Sequence, residues 1–140
     1  MIARLFVDSN VLVYAFDESE PAKQHLAQRL ISSHGTEHKL VLSTQVLQEF
    51  YVNVTRKLKR PVPGPVALAA VERFASLQVK QITPATVLLA IRRHQAEQLA
   101  FWDALILEAA LAARCQRLAS EDFQHGRRYG DLVIENPFLI

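Results

Sequence analysis

The chain has 140 residues and a mass of 15.8 kDa, which fits one domain of ordinary size, and 50% of its residues are hydrophobic. A formal net charge of +2 does not establish a nucleic-acid partner, because clustering of charge matters more than its sum. The single cysteine excludes a disulfide within the chain, and no secretory leader or membrane-spanning stretch is predicted, so we expect a cytoplasmic protein with no membrane partner.

Short apolar runs alternate with helical patterns along the chain. The apolar runs predict strands at residues 5–7, 40–42, 79–82, 117–120 and 132–134. Apolar spacing and capping signals predict helices at residues 11–16, 22–33, 44–58, 65–77, 83–97 and 99–110. This alternation is typical of βαβ units and predicts an α/β fold, with a mostly parallel sheet of about five strands between two layers of helices.

Acidic residues follow two of the predicted strands. Asp8 comes directly after the first strand, and Asp122 follows the fourth strand and its terminal Ser120. The carboxyl ends of parallel strands lie at one edge of a sheet, so Asp8 and Asp122 share a crevice if their strands are neighbours. Taken alone, Asp8 could equally be no more than the cap of the following helix.

Two further acids stand in helical patterns. Asp103 lies in an apolar stretch, where an ionised carboxylate needs a cation or hydrogen-bond donors to compensate its burial. An arginine or backbone N–H groups could supply that compensation and make Asp103 a structural residue. Glu49 lies off the apolar stripe of its helix, and spacing alone predicts that it is exposed.

A crevice that collects carboxylates without matching lysines repels itself at neutral pH, and a hard divalent cation is the usual remedy. Ligands that are all oxygen favour Mg²⁺ or Mn²⁺ over Zn²⁺. Cys115 and the five histidines show no spacing typical of a zinc site, and only His125 falls close to Asp122 in sequence.

Four segments of the chain resemble the motifs of the PIN domain, and the set is most similar to the VapC-type ribonuclease toxins. They are VDSNVL at 7–12, STQVLQEFY at 43–51, FWDALI at 101–106 and SEDFQHG at 120–126. The family often has Asp-Thr-Asn at the first motif, where this chain has Ser9 and so keeps the hydroxyl. The resemblance covers nearly the whole chain and implies a single PIN domain over residues 1–140.

The resemblance also implies a site. Its acidic quartet would consist of Asp8, Glu49, Asp103 and Asp122, which hold one or two Mg²⁺ or Mn²⁺ ions, with Asp8 and Asp103 as the most direct ligands. Asn10 and Ser120 would give polar support. Glu121 stands next to Asp122 and leaves the fourth acid ambiguous by one position.

The implied activity is that of a metal-dependent endoribonuclease, the toxin of a bacterial type II toxin–antitoxin pair. Metal-activated water would hydrolyse RNA phosphodiester bonds and leave a 5′-phosphate and a 3′-hydroxyl. The implied partners are RNA, a cognate antitoxin and a second copy of the chain in a homodimer. Three basic clusters are candidate RNA contacts: residues 56, 57, 59 and 60, residues 92 and 93, and residues 127 and 128.

Three alternatives remain at this point. Phosphatases of the haloacid dehalogenase type need a second acid two residues after the first, where this chain has Asn10. A receiver-like phospho-acceptor needs an acid pair before the end of the first strand and a late lysine, and neither is found. A catalytically silent PIN-like module that binds RNA or protein is disfavoured by the presence of all four acids, above all Asp103.

Overall fold

The computed structural model describes residues 3–139, and its centre is a six-stranded sheet with the order β3-β2-β1-β4-β6-β5. The strands are β1 (Leu5–Val7), β2 (Leu40–Ser43), β3 (Gln78–Lys80), β4 (Arg117–Ala119), β5 (Arg128–Tyr129) and β6 (Leu132–Glu135). All neighbouring strands are parallel except β5, which pairs antiparallel with β6. The predicted α/β architecture with a mostly parallel sheet is confirmed.

Six helices within the described residues connect the strands. They are α1 (Ser9–Tyr14), α2 (Pro21–Thr36), α3 (Thr44–Arg56), α4 (Gly64–Ala75), α5 (Pro84–Glu97) and α6 (Phe101–Ala112). The hydroxyl of Ser43 caps α3 by accepting from the Val46 N–H, and Thr83 caps α5 through the Thr86 N–H, both at 3.3 Å. No helix within residues 3–139 is long and apolar enough to cross a membrane.

The register of the central strands aligns their carboxyl ends. β1 lies between β2 and β4, and its three residues are fully buried, as expected for a strand covered on both faces. Leu5 pairs with Leu40 on one side and Arg117 on the other, so Val7 ends level with Ala119. The loops that follow β1, β2 and β4 therefore leave the sheet at the same edge.

Several boundaries differ from the sequence prediction by one or two residues, as in α1, which spans Ser9–Tyr14 instead of 11–16, and three elements differ in a way that has a structural reason. β5 was not predicted, because two residues are too short to show a period and only the tight turn at Gly130 (φ 61°) brings them against β6. The third strand lies at Gln78–Lys80, slightly earlier than 79–82. Helix α2 continues through Gly35 to Thr36, because Gly35 keeps a negative φ and the left-handed residue after the helix is His38 (φ 56°).

Candidate active site

Asp8 occupies the turn between β1 and α1 and is 3% exposed. Its Oδ1 accepts the Ser9 N–H at 2.7 Å, so Asp8 does cap α1. Its Oδ2 accepts from the Ser120 hydroxyl at 2.7 Å and from the Asn10 amide at 3.3 Å. The capping role and a role in the crevice are thus divided between the two carboxylate oxygens.

Asn10 joins Asp8 to the loop after β4. Its Nδ2 lies 3.2 Å from Ser120 Oγ and 3.1 Å from Asp122 Oδ2, and its Oδ1 accepts the Glu121 N–H at 3.2 Å. Ser120 Oγ also accepts the Asp122 N–H at 3.1 Å. The structure therefore brings Asp8 and Asp122 into one crevice, as the strand positions predict, and places Asn10 and Ser120 between them.

Glu49 points to the same crevice and is half-buried, although helical spacing predicted an exposed residue. Ser9 Oγ donates to Glu49 Oε1 at 3.0 Å, and Gln45 Nε2 lies 3.2 Å from Glu49 Oε2. Gln45 also donates to the Trp102 carbonyl at 3.1 Å, which ties α3 to the start of α6. The buried Oε1 of Gln45 has no partner within residues 3–139.

Asp103 lies in the first turn of α6 and is half-buried. Within the described residues we find no ion pair and no hydrogen-bond donor for its carboxylate, so the expected compensating partner is absent there. Partial burial raises the pKa of Asp103 above its ordinary value, and the negative charges of Asp122 and Glu49 raise it further. Asp103 is therefore electrostatically part of the acidic crevice.

Burial raises the pKa of Asp8 from 3.8 to about 7, against the hydrogen bonds from Ser120 and Ser9, which favour its charged form. The negative charges of Glu49 and Asp122 add to the rise. The four carboxylates therefore come from four chain segments and repel one another at one edge of the sheet.

Glu121 belongs to a different set of contacts. It accepts from the Tyr14 hydroxyl at 2.9 Å and pairs with the Lys23 ammonium at 2.8 Å. Asp122, its neighbour, faces Asn10 instead. The geometry thus favours Asp122 over Glu121 as the fourth acid of the crevice.

Comparison with known families identifies the domain that carries this arrangement. The model of the PIN domain family matches residues 5–130. The chain belongs to the PIN domain family. No curated protein matched the sequence.

Solved structures similar to this PIN domain include three of the Vap group. VapC20 of Mycobacterium tuberculosis, described as a sarcin–ricin loop cleaving toxin, has 21% identity and a TM-score of 0.62, over 84% of this chain and 89% of that one. VapBC2 of Rickettsia felis, bound to a DNA fragment from its promoter, has 19% identity and a TM-score of 0.65, over 94% and 96%. DNA-bound VapBC of Salmonella typhimurium has 17% identity and a TM-score of 0.63, over 96% and 98%. These similarities concern the fold.

The donor set of this PIN domain fits a hard divalent cation by its chemistry. The crevice offers carboxylate, amide and hydroxyl oxygens and no sulfur or imidazole. As the side chains stand, no three His, Cys, Asp or Glu residues within 3–139 form a ready metal cage. Mg²⁺ normally keeps several waters and takes one or two carboxylates from the protein, so an open set of acids suits it.

The sequence does not predict a role in the crevice for two of its residues, Ser9 and Gln45. Ser9 stands out in the sequence only as a variation of a family motif, and Gln45 lies within a motif that assigns it no role. Gln45 stands four residues before Glu49 on the same helix face, so the i, i+4 relation could have identified it as a partner. His125, by contrast, accepts the Asn136 N–H at 2.9 Å and is not among the contacts of the acids.

Proposed function

We propose that the chain, as a single PIN domain over residues 1–140, is a Mg²⁺- or Mn²⁺-dependent endoribonuclease and the toxin of a type II toxin–antitoxin pair. The observation that carries the proposal is the meeting of Asp8, Glu49, Asp103 and Asp122 at one sheet edge without a cation from the described chain. A domain that needed these acids only for folding would gain by pairing or replacing them.

Membership of the PIN domain family and the likeness in fold to the VapC20 toxin and to two VapBC assemblies support this proposal. By the same analogy we infer a cognate antitoxin as partner, a homodimer, and the cytoplasm as the place of action. RNA is the inferred substrate because VapC20 is described as cleaving the sarcin–ricin loop.

The side chains of the crevice would have two roles: the acids would bind a cation, and the neutral polar side chains would position the acids. Asp8 and Asp103 would be the main ligands, with Glu49 and Asp122 completing the acidic set. When bound, a divalent ion stabilises negative charge on the phosphoryl oxygens and makes water a stronger nucleophile. Asn10, Ser120, Ser9 and Gln45 hold the carboxylates in place through the hydrogen bonds described above.

A raised pKa gives Asp8 a second property. With a pKa of about 7, Asp8 keeps its proton in a large fraction of metal-free molecules at neutral pH. Binding of a cation must release that proton, so apparent metal affinity should increase with pH. Cleavage should therefore increase between pH 6 and 8 at limiting metal.

Cleavage of total cellular RNA by the purified, antitoxin-free protein tests the proposal. We expect cutting with Mg²⁺ or Mn²⁺, none with EDTA, and products with a 5′-phosphate and a 3′-hydroxyl. A 2′,3′-cyclic phosphate would contradict the hydrolytic mechanism, because it requires attack by the RNA 2′-hydroxyl. A folded protein that binds RNA but never cuts it would favour the catalytically silent module.

Two neighbouring acids provide a matched comparison. Asp122→Asn removes a charge from the crevice, whereas Glu121→Gln removes one from the contact with Lys23 and Tyr14. We expect cleavage to be lost in the first variant and largely retained in the second. Equal loss in both, with both folded, would place the fourth acid elsewhere.

A further inference from the structure

A cavity of about 350 Å³ opens beside the acidic crevice, between α3 and the start of α6. We call it the Trp102 pocket, and its walls include Gln48, Glu49, Asn53, Lys57 and Trp102. Its volume is at the lower end of the range for small-molecule sites, of roughly 300 to 1,000 Å³. Glu49 belongs both to this pocket and to the acids described above, so the two sites are continuous.

Trp102 is 62% exposed, although it is the largest apolar side chain type. Its ring meets Phe101 edge to face at 5.0 Å between centroids, and its carbonyl accepts from Gln45. These contacts fix the residue while the pocket side of the ring stays open to a ligand. Glu49 lines the same pocket, so a ligand on the ring would lie next to the acids.

The remaining walls combine the apolar side chain of Val52 with polar side chains and one positive charge. Gln48 is exposed and Asn53 half-buried, and a side-chain amide both donates and accepts hydrogen bonds. Lys57, at the end of α3, is exposed and belongs to the basic cluster of residues 56, 57, 59 and 60. An aromatic face, amide groups and a nearby cation are the elements with which proteins bind single-stranded nucleic acid.

Acidic partners already engage much of the other two basic clusters. Arg93 donates to Glu108 and to Glu97, each at 2.6 Å. Arg127 lies 3.7 Å from Glu97 and stacks on Tyr129 at 4.8 Å. In the first cluster Arg60 also pairs with Glu18, at 3.3 Å. Lys57 of that cluster lines the cavity that adjoins the acids, which places it to meet a phosphate beside that site.

We propose that the Trp102 pocket binds one unstacked nucleobase of single-stranded RNA, with the base on the Trp102 ring, its edge near Gln48 and Asn53, and a flanking phosphate near Lys57. This inference rests on the proposed function and deepens it, because it makes the pocket a determinant of which RNA segment is cut. The substrate class is then a single-stranded loop or end, since a paired base cannot enter.

Trp102 is the only tryptophan in the chain, so intrinsic fluorescence reports on this pocket directly. The full-length protein is titrated in EDTA, which prevents cleavage, with a short single-stranded RNA of mixed sequence. We expect saturable quenching, and much weaker quenching with a duplex of the same sequence. The absence of quenching by single-stranded RNA that binds in a parallel anisotropy assay would overturn the proposal.

Variants separate stacking from other effects. Trp102→Ala should weaken binding of labelled RNA about 5- to 150-fold, the range for one base–aromatic stack, and raise KM more than it lowers kcat. Trp102→Phe should restore part of the affinity because it keeps an aromatic face. Leu68→Ala, at an exposed apolar residue of α4 outside the pocket, should bind as the parent does. Unchanged affinity and KM in Trp102→Ala would overturn the proposal.

Lysine substitution tests the phosphate contact. Lys57→Gln should weaken RNA binding and reduce the slope of log affinity against log salt concentration by about one. The same change at the exposed Arg92, Arg92→Gln, should alter neither.

The fluorescence titration has outcomes that overturn the proposal. A Trp102 fluorescence that changes with protein concentration but not with added RNA would assign Trp102 to contact between two copies. RNA cleavage without quenching would reject the pocket alone, and quenching without metal-dependent cleavage would support the pocket and reject the proposed enzyme.

Discussion

Two acids five residues apart on helix α6 have opposite surroundings. Glu108 is buried, and Arg93 donates to it at 2.6 Å, while Glu97 binds the same arginine. Asp103 is half-buried, and within residues 3–139 we find only acids as its charged neighbours. On the same helix, therefore, Glu108 is paired with an arginine, whereas Asp103 is repelled by the acids around it. Under the proposed function, this difference is explained by a divalent ion that would compensate the charge of Asp103.

Replacing one acid at a time gives the largest expected effect. Asp103→Asn should reduce RNA cleavage by a factor of about 100 to 1,000, comparable to the loss of a charge-stabilising group in other enzymes, while stability is unchanged or increases. Glu108→Gln should leave RNA cleavage nearly unchanged and lower the stability. It leaves Arg93 partly unpaired, which costs about 1–3 kcal/mol of unfolding free energy. RNA cleavage rates and urea unfolding of both variants measure this. Destabilisation by Asp103→Asn would mean that it is a structural acid.

The pH dependence of stability sharpens the same contrast. In EDTA, between pH 3.8 and about 7, folded Asp8 keeps a proton that the unfolded chain has lost, so stability should fall as pH rises through this window. The rise in pKa corresponds to a loss of roughly 2–3 kcal/mol between pH 5 and pH 8. The raised pKa of Asp103 acts in the same direction.

Asp8→Asn serves as the reference for this effect, since an amide does not titrate. Urea unfolding at several pH values should show that the free energy of unfolding of the variant increases relative to that of the parent as pH rises. The titration of the histidines contributes equally to both proteins and cancels when one is subtracted from the other. Parallel profiles for parent and variant would show that Asp8 has an ordinary pKa.

Addition of metal should relieve the repulsion at the acids. At a free Mg²⁺ concentration ten times its Kd, binding to the folded state stabilises by about 1.4 kcal/mol, which corresponds to a Tm higher by about 4–6 °C for a domain of this size. Thermal unfolding against an ionic-strength-matched NaCl control measures this. The rise in Tm should vanish in Asp103→Asn and persist in Glu108→Gln. An equal rise in Tm in the parent and both variants would indicate nonspecific screening of charge.

The smallest effect concerns a hydrogen bond. Ser9→Ala removes the hydroxyl that donates to Glu49, and we expect kcat/KM to fall about 5- to 10-fold with little change in stability. Ser9→Thr keeps the hydroxyl and should retain nearly the activity of the parent. If Ser9→Thr were as slow as Ser9→Ala, the methyl group or the packing, and not the hydrogen bond, would be responsible.

Much of the fold was predictable because its central strands are continuous apolar runs and its helices have strong caps at Ser43 and Thr83. The proximity of Asp8 and Asp122 was predictable for a related reason: both follow short strands, and parallel strands end at a common edge. β5 was not predictable, since Arg128–Tyr129 pairs only because the turn after it returns the chain to β6.

The candidate site was less accessible to sequence reasoning. Helical periodicity separates the residues that face the apolar core from all others. It predicted that Glu49 is exposed, because it does not distinguish a side chain in a polar crevice from one in solvent. Only the family resemblance included Glu49. The partial burial of Asp103 was predictable, but the sequence could not show that residues 3–139 would supply no cation for it, because local sequence does not reveal which charges from other segments surround a side chain.

The position of Asn10 has a consequence for the order of events during synthesis. Its amide joins Asp8, near the beginning of the chain, to Asp122, which is 112 residues later than Asn10. β4 must dock against β1 before this bridge can form, so most of the domain has to be translated before the acidic set is complete. A nascent chain on the ribosome therefore carries no assembled acidic set until the segment around Asp122 has been made.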